Sequence, residues 1–242
     1  MPETGPVHLS VVIPVYNEEK NVVETLRRVE AYRAAKNEAW EIIVVNDGST
    51  DKTRTLAEDY IRREKLAHAR VLSFDKNRGK GAASRDGILS SRGEYVLLTD
   101  ADLSSPIKES DKLVRAIDFG VDVAIGSRAV RSKNVDVQQS AKRAFSGRVF
   151  NLLVRMTVLP GIRDTQCGFK CFSRKAALDI FSSQTLDGFS FDVEALYLAR
   201  KKKYRIAEIP VMWRQGEQSS VHLFRDSFRM AGDIFKIKKI HS

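Results

Sequence analysis

The chain has 242 residues, of which 43% are hydrophobic, and this is enough apolar material for the core of one compact domain. Lysine and arginine number 41 against 31 aspartate and glutamate residues, a formal net charge of +10, which indicates an anionic partner such as a nucleotide, a phospholipid or a nucleic acid. No stretch approaches the roughly 20 apolar residues of a membrane span, and the first eight residues lack the apolar run of a signal peptide, so we expect neither a secreted nor a membrane-spanning protein.

Apolar runs rich in β-branched residues predict strands at 9–15, 41–47, 69–74, 94–100 and 121–127. Continuous runs, rather than alternating ones, are typical of strands that are covered on both faces. The segment between the first two runs has Val22, Leu26 and Val29 at helical spacing, and the connections after Asp51 and Gly81 are helical in pattern too. Strands that alternate with helices predict an α/β fold with a mostly parallel sheet and flanking helices.

In such a sheet, ligands bind at the carboxyl ends of the strands. This rule places Asn17, Asp47, Asp100, Asp102 and Arg128 at one edge. Asp100 and Asp102 are one residue apart, so one can reach a sugar hydroxyl while the other binds Mg²⁺ or Mn²⁺, because these cations commonly take one or two carboxylates plus substrate phosphates. The structural alternative is a strand-end turn whose acids cap the next helix.

The pattern changes after about residue 132, where two basic amphipathic helices are predicted at 138–159 and 224–240. The apolar stripe of the first ends with Met156. Either helix can pack against the domain and show solvent a basic face, or it can lie in a lipid headgroup layer. Neither a linker nor a repeat divides the chain, so we expect a single domain over 1–242.

Several motifs, in this order, carry a resemblance: "VVIPVYNEE" (11–19), "VVNDGSTD" (44–51), "KNRGKGAA" (76–83) and "TDADLSSP" (99–106). Together they resemble the nucleotide-sugar domain of family 2 glycosyltransferases with the GT-A, Rossmann-like fold. The later motifs are similar to polyprenyl-phosphate sugar transferases, most closely dolichyl-phosphate glucosyltransferases: "GSRA" (126–129), "GIRDTQCGFKCF" (161–172) and "FSFDVEALYLA" (189–199). The resemblance implies a nucleotide-sugar half at about 9–130 and an acceptor half at about 131–242.

For the donor, the resemblance implies a nucleotide-sugar site made of Pro14, Tyr16, Glu18, Asp47, Lys80 and Asp100. The first three match a motif that flanks uracil and ribose, and Asp47 matches the acid that recognises the uracil edge. Lys80 lines the nucleotide pocket, and Asp100 is a donor-binding acid. Asp102 matches the metal ligand, with Asp100 as the second candidate.

For the reaction, the resemblance implies as catalytic residues Asp102, Arg128, Asp164 and Gln166, and as acceptor-side residues Arg163, Asp192 and Glu194. A phosphate monoester acceptor, with a second pKa of about 6, is largely dianionic at neutral pH. It needs cationic positioning by Arg128 or Arg163 rather than a base. A hydroxyl acceptor would instead require a general base, with Asp164 or Asp192 as candidates.

The sequence therefore predicts a metal-dependent inverting glycosyltransferase that moves a hexose, expected to be glucose from UDP-glucose, onto polyprenyl or dolichyl phosphate. The alternatives are a soluble or polysaccharide hydroxyl acceptor and, from the net charge, a nucleic-acid-binding protein. We expect no nucleic acid as partner, because no recognition helix or RNP signature occurs. Cys167 and Cys171 form neither a disulfide framework nor a zinc signature, which indicates a cytoplasmic setting. A lipid acceptor then requires peripheral docking at the inner face of the membrane.

Overall fold

The computed structural model describes residues 6–36, 38–130, 154–214, 232–234 and 236–241, together with the backbone of 137–138. In chain order, its strands are β1 (Leu9–Val15), β2 (Trp40–Asn46), β3 (Ala69–Ser73), β4 (Tyr95–Leu98), β5 (Val123–Ser127), β6 (Val137–Gln138), β7 (Lys170–Ser173), β8 (Ile206–Pro210) and β9 (Trp213–Arg214). The helices are α1 (Val22–Ala34), α2 (Thr53–Arg63), α3 (Lys80–Leu89), α4 (Ser110–Asp118), α5 (Arg174–Phe181) and α6 (Phe191–Lys201). The ends of the predicted strands are confirmed to within two residues.

Within the described ranges, the central sheet has seven strands in the order β3-β2-β1-β4-β7-β5-β8. Strand β7 is antiparallel to both neighbours, β4 and β5, whereas the other pairings are parallel. Strands β6 and β9 form a separate parallel pair. The mostly parallel sheet is thus confirmed, but the sequence did not predict β7, because four residues of mixed polarity carry little periodicity.

Helices cover both faces of the sheet. Successive residues of a strand point to opposite faces, so Val11 packs in the core that includes residues of α1, α2 and α4, and Val12 in the core that includes residues of α3, α5 and α6. Burial on both faces is the reason that the predicted strands are continuous apolar runs. Cys171 and Phe172 of β7 are buried in these two cores in the same alternating way.

The helix starts agree with the sequence pattern. Helix α1 buries Val22, Leu26 and Val29 against the sheet, as predicted. The Oδ1 atom of Asp51 accepts a hydrogen bond from the backbone N–H of Thr53, at 2.9 Å. It thereby satisfies one of the free N–H groups at the start of α2.

The two predicted amphipathic helices, at 138–159 and 224–240, lie largely outside the described residues. In the parts that are described, Val154 and Ile237 are buried, whereas Met156 is 78% exposed. The sequence pattern placed Met156 in the apolar stripe of the first helix. This prediction is wrong, because the exposed Met156 side chain does not face the core. Within the described part of the chain, no helix is both long and apolar enough to cross a membrane.

Candidate active site

The carboxyl edge of the sheet collects polar residues from strands that are distant in sequence. Strand β2 ends just before Asp47, β4 is followed by Asp100 and Asp102, and β5 ends just before Arg128. Because β1, β2 and β4 are parallel and in register, their carboxyl ends meet at this edge. The expected charged groups therefore lie along this edge, and each is held by hydrogen bonds to other residues of the chain.

Asp100 lies at the centre of this cluster. Its Oδ1 atom accepts a hydrogen bond from the Nζ atom of Lys80, and its Oδ2 atom faces the backbone of Gly168, where an added Cβ would lie 2.1 Å away. Burial raises the pKa of Asp100, but the charges of Lys80, Lys170 and Arg128 outweigh burial and lower that pKa below its ordinary value. Asp100 is therefore an anion surrounded by three cations.

Lys80 is the first residue of α3, and the glycines on either side of it pack against the backbone of Asp187. Burial alone would lower its pKa, but the neighbouring carboxylates, with Asp100 foremost, raise it above the ordinary lysine value. The backbone N–H of Gly81 donates to the Asp187 carbonyl at 2.7 Å. Gly79 has a φ of +110°, and an added Cβ would lie 2.3 Å from the same carbonyl oxygen. Glycine is thus required for the close approach of this loop to residue 187.

Asp47 ties strand β2 to the loop that carries Lys80. Its Oδ1 atom accepts from the backbone N–H of Arg78 at 2.7 Å, and its Oδ2 atom accepts from that of Gly79 at 2.9 Å and from the Asn77 side chain at 3.0 Å. Three hydrogen bonds leave about one of the four lone-pair positions of a carboxylate. Asp47 therefore positions the loop, and its contact with a uracil edge stays a prediction.

Arg128, which directly follows β5, forms an ion pair with Asp164. The guanidinium donates from Nε to Oδ2 and from Nη2 to Oδ1, both at 2.8 Å, and lies 5.4 Å from the ring centre of Trp213. Burial raises the pKa of Asp164, but Arg128 lowers it by more, so that the pKa lies below its ordinary value. Glu208 of β8 accepts from the backbone N–H of Asp164 at 2.9 Å and so fixes this segment.

Lys170 is a site residue that the sequence analysis missed. It is 1% exposed, and its Nζ atom donates to Asp192 Oδ1 at 2.5 Å and to the Cys167 carbonyl at 2.6 Å. Lysine is almost never fully buried unless it is paired. A signal was available, because Lys170 stands between the apolar residues Phe169 and Cys171, both of which are buried, and a buried lysine needs a partner of opposite charge.

Comparison with known proteins identifies the family. The model of "Glycosyl transferase family 2" matches residues 10–181. The chain belongs to glycosyl transferase family 2. Among its relatives, the dolichyl-phosphate beta-glucosyltransferase of Homo sapiens is 39% identical over 241 residues, which cover 95% of this chain and 74% of the relative. That of Saccharomyces cerevisiae is 39% identical over 249 residues, which cover 96% of this chain and 74% of the relative. The chain is thus a glycosyltransferase, as predicted.

The solved structures that this glycosyltransferase resembles show the fold. Glucosyl-3-phosphoglycerate synthase from Mycobacterium tuberculosis in complex with UDP has a TM-score of 0.70 at 18% identity, covering 97% of this chain and 81% of that one. Its complex with Mn²⁺, UDP and phosphoglyceric acid has a TM-score of 0.70 at 17% identity, covering 98% and 78%. The predicted GT-A fold is therefore confirmed.

Asp102 fits the role of a metal ligand. Its oxygens accept from the backbone N–H of Ser104 at 2.9 Å and from the Ser104 hydroxyl at 2.7 Å, which leaves about two of four lone-pair positions. Across the described side chains, no group of three or more His, Cys, Asp or Glu residues is arranged to hold a metal ion alone. Mg²⁺ and Mn²⁺ suit such a place, since substrate phosphates can supply the other ligands.

The first-strand motif borders the acidic pair. Glu18 is half-buried, and burial, followed by the charges of Asp102 and Asp100, raises its pKa, although a hydrogen bond from Asn21 at 2.7 Å opposes this. Glu18 therefore lies close enough to Asp100 and Asp102 for their charges to act on it. Tyr16 is 38% exposed beyond the end of β1. Pro14 pairs with Val45 inside the sheet, so it shapes the strand end and offers little surface.

Two of the predicted acceptor-side residues, Glu194 and Arg163, and the predicted catalytic residue Gln166 differ in their surroundings. Glu194 is fully buried and accepts from the backbone N–H groups of Thr185 and Leu186 and from His241, at 2.9, 2.8 and 2.7 Å. These bonds occupy its carboxylate, so we propose a structural part for Glu194 and not an acceptor contact. Arg163 is exposed, and Gln166 is half-buried in the same segment as Asp164. Their roles stay predictions.

Proposed function

We propose that this glycosyltransferase transfers glucose from UDP-glucose onto the phosphate of a polyprenyl lipid such as dolichyl phosphate. One observation carries the choice of acceptor. The two carboxylates that could serve as a base for a hydroxyl acceptor are both bound to cations, Asp164 to Arg128 and Asp192 to Lys170. A phosphate dianion needs no base. The printed names of the relatives, dolichyl-phosphate beta-glucosyltransferases, support the same acceptor.

The proposed reaction is a single displacement with inversion at the sugar's C1. An oxygen of the acceptor phosphate forms a bond to C1 while the bond from C1 to the donor's diphosphate breaks, and the electron pair leaves with UDP. The transition state has oxocarbenium character. No proton has to be moved, because the nucleophile is already an anion at neutral pH.

The positive side chains have separate tasks in this proposal. Arg128 offers a planar fork that matches the geometry of a phosphate, and Asp164 holds that fork in place. Lys80 contacts Asp100 at the donor side, where its ammonium group can form an ion pair with the diphosphate of the donor. Asp102 would hold Mg²⁺ or Mn²⁺, and the metal, when bound, neutralises the charge that builds on the departing diphosphate.

A lipid acceptor requires contact with a membrane surface, and we propose peripheral docking at the cytoplasmic face. The described end of the chain shows exposed Lys236, Lys238 and Lys239 beside buried Ile234 and Ile237. Each basic residue near an anionic leaflet contributes about 1 kcal/mol. This basic segment and the net charge of +10 together support docking to an anionic membrane surface.

The test is a direct assay of the transfer. The protein is incubated with radiolabelled UDP-glucose, Mg²⁺ and a short polyprenyl phosphate, and glycolipid is extracted and quantified. We expect product with the lipid phosphate and none with the corresponding polyprenol, which lacks the phosphate. Failure with the lipid phosphate across a panel of nucleotide sugars would rule out this acceptor. Transfer to soluble sugars, without binding to anionic liposomes, would favour the hydroxyl-acceptor alternative.

A further inference from the structure

The ammonium group of Lys80 occupies the space beside the acidic pair. It contacts Asp100 directly. The charges of Asp102 and Asp192 also act on it, and Lys80 in turn acts on the pKa of Glu18. Lys80 is therefore a cation among the carboxylates that border the proposed metal position.

This placement is built into the fold and is not that of a mobile surface lysine. The backbone just before Lys80 is held by Asp47, which accepts from the Gly79 N–H at 2.9 Å, and the backbone just after it by the Gly81 bond to the Asp187 carbonyl at 2.7 Å. Asp100 is held from the other side by Gly168. Both partners of the ion pair thus have fixed positions.

The charges around Asp100 leave little electrostatic reason for a free divalent cation to bind there. Lys170 and Arg128 act on Asp100 in addition to Lys80, so a metal ion that approached this carboxylate would meet the repulsion of three positive side chains. Like charges at short distance repel strongly in a partly buried site. A nucleoside diphosphate changes this balance, because it brings several negative charges that can pair with both the metal and Lys80.

We propose that Lys80 is a stand-in for the divalent cation in the nucleotide-free enzyme, so that the metal ion binds only together with the diphosphate of the donor. The inference rests on the proposed function only for the use of a metal–nucleotide donor and is independent of the acceptor. Binding of the two ligands is then strongly coupled. The coupling is reciprocal, so the nucleotide raises the affinity for metal by the same factor by which metal raises the affinity for nucleotide.

The experiment measures Mn²⁺ binding without any reaction. Free Mn²⁺ is followed by electron paramagnetic resonance during titration of the full chain, with and without UDP. The variants are Lys80→Met, which removes the charge, Lys80→Arg, which keeps it, and Lys76→Met, a matched control at an exposed lysine of the same loop. Thermal unfolding verifies that each variant is folded.

We expect the original chain, Lys80→Arg and Lys76→Met to bind Mn²⁺ weakly alone and tightly with UDP. Lys80→Met should bind Mn²⁺ alone about tenfold more tightly, with a correspondingly smaller gain from UDP. Equal Mn²⁺ affinities of Lys80→Met and the original chain without UDP would overturn the proposal. So would a lack of Mn²⁺ binding in the presence of UDP. Neither result depends on the lipid acceptor, which the glycolipid assay tests separately.

Discussion

Arg128 and Asp164, 36 residues apart, form an ion pair with two parallel hydrogen bonds of 2.8 Å. The backbone N–H of Arg128 adds a third bond to the same carboxylate, at 2.9 Å. The pair joins the end of β5 to the segment before β7. It thereby presents one guanidinium, in a fixed orientation, at the edge of the sheet where the acceptor is proposed to bind.

Replacing Arg128 with lysine keeps the positive charge but removes the planar fork. We expect kcat/KM for the lipid phosphate to fall about 100-fold, the scale of losing one preorganised donor to the transition state, while UDP affinity stays the same. Glycolipid formation and UDP titration measure the two effects. Arg205→Lys, at an exposed arginine directly before β8, is the control. Full activity of Arg128→Lys would contradict the assigned role.

The acid stability of the protein should depend on Asp164. Although its burial raises the pKa, Arg128 holds the folded-state pKa below the unfolded value of about 3.9. The stabilisation is therefore present above about pH 4 and is lost as the pH falls through the folded-state pKa. We expect Asp164→Asn to be less stable than the original chain at pH 7, with a difference that shrinks towards pH 3. Urea unfolding between these pH values measures it, and a constant difference would refute the prediction.

Gly168 should be essential for the position of Asp100. A Cβ added there would lie 2.1 Å from Asp100 Oδ2, whereas one added to Gly188 has nothing within 4 Å. We expect Gly168→Ala to displace Asp100 and to weaken nucleotide-sugar binding at least about tenfold, and Gly188→Ala to leave binding unchanged. A thermal shift with UDP-glucose and Mn²⁺ measures the binding. Equal shifts in the two variants would show that Asp100 is not fixed by this contact.

Asp102→Asn should remove metal-dependent turnover while the fold survives. The half-buried side chain bonds only locally to Ser104 in the described structure, so an amide can replace it with small strain, but it loses the charge that a hard cation prefers. We expect activity at saturating Mg²⁺ to fall about 100-fold or more. Asp59→Asn, at an exposed aspartate of α2, is the control. Unchanged activity of Asp102→Asn would remove the metal role.

Lys170 should contribute to the stability of the fold mainly because its removal leaves the buried carboxylate of Asp192 without a partner. Lys170→Met leaves Asp192 without its 2.5 Å partner, and breaking a buried ion pair from one side costs about 3–5 kcal/mol. We expect the double variant Lys170→Met, Asp192→Asn to regain part of this stability, because the uncompensated charge is removed. Chemical denaturation of Lys170→Met, Asp192→Asn and the double variant measures the coupling. Strictly additive losses would show that the pair does not act as a unit.

The sequence alone was sufficient for the strands, the sheet edge and the family. Buried parallel strands require continuous apolar runs, and the first five such runs predicted β1 to β5 to within two residues. Polar residues that directly follow those runs, such as Asp47 and Asp100, had to meet at one edge. The order of the motifs then carried the resemblance, which the family match over residues 10–181 confirms.

Only the tertiary structure decided which charges are paired. Lys170 meets Asp192 across 22 residues, and Glu194 accepts hydrogen bonds from Thr185 and from His241. The resemblance implied these two acids as acceptor-side residues but gave no partner for either of them. By inserting antiparallel between β4 and β5, strand β7 places Lys170 opposite Leu98, two residues before Asp100. Local sequence patterns report burial and secondary structure, because these depend on neighbours along the chain. Ion pairing depends on distances between segments, and those distances exist only once the sheet has assembled.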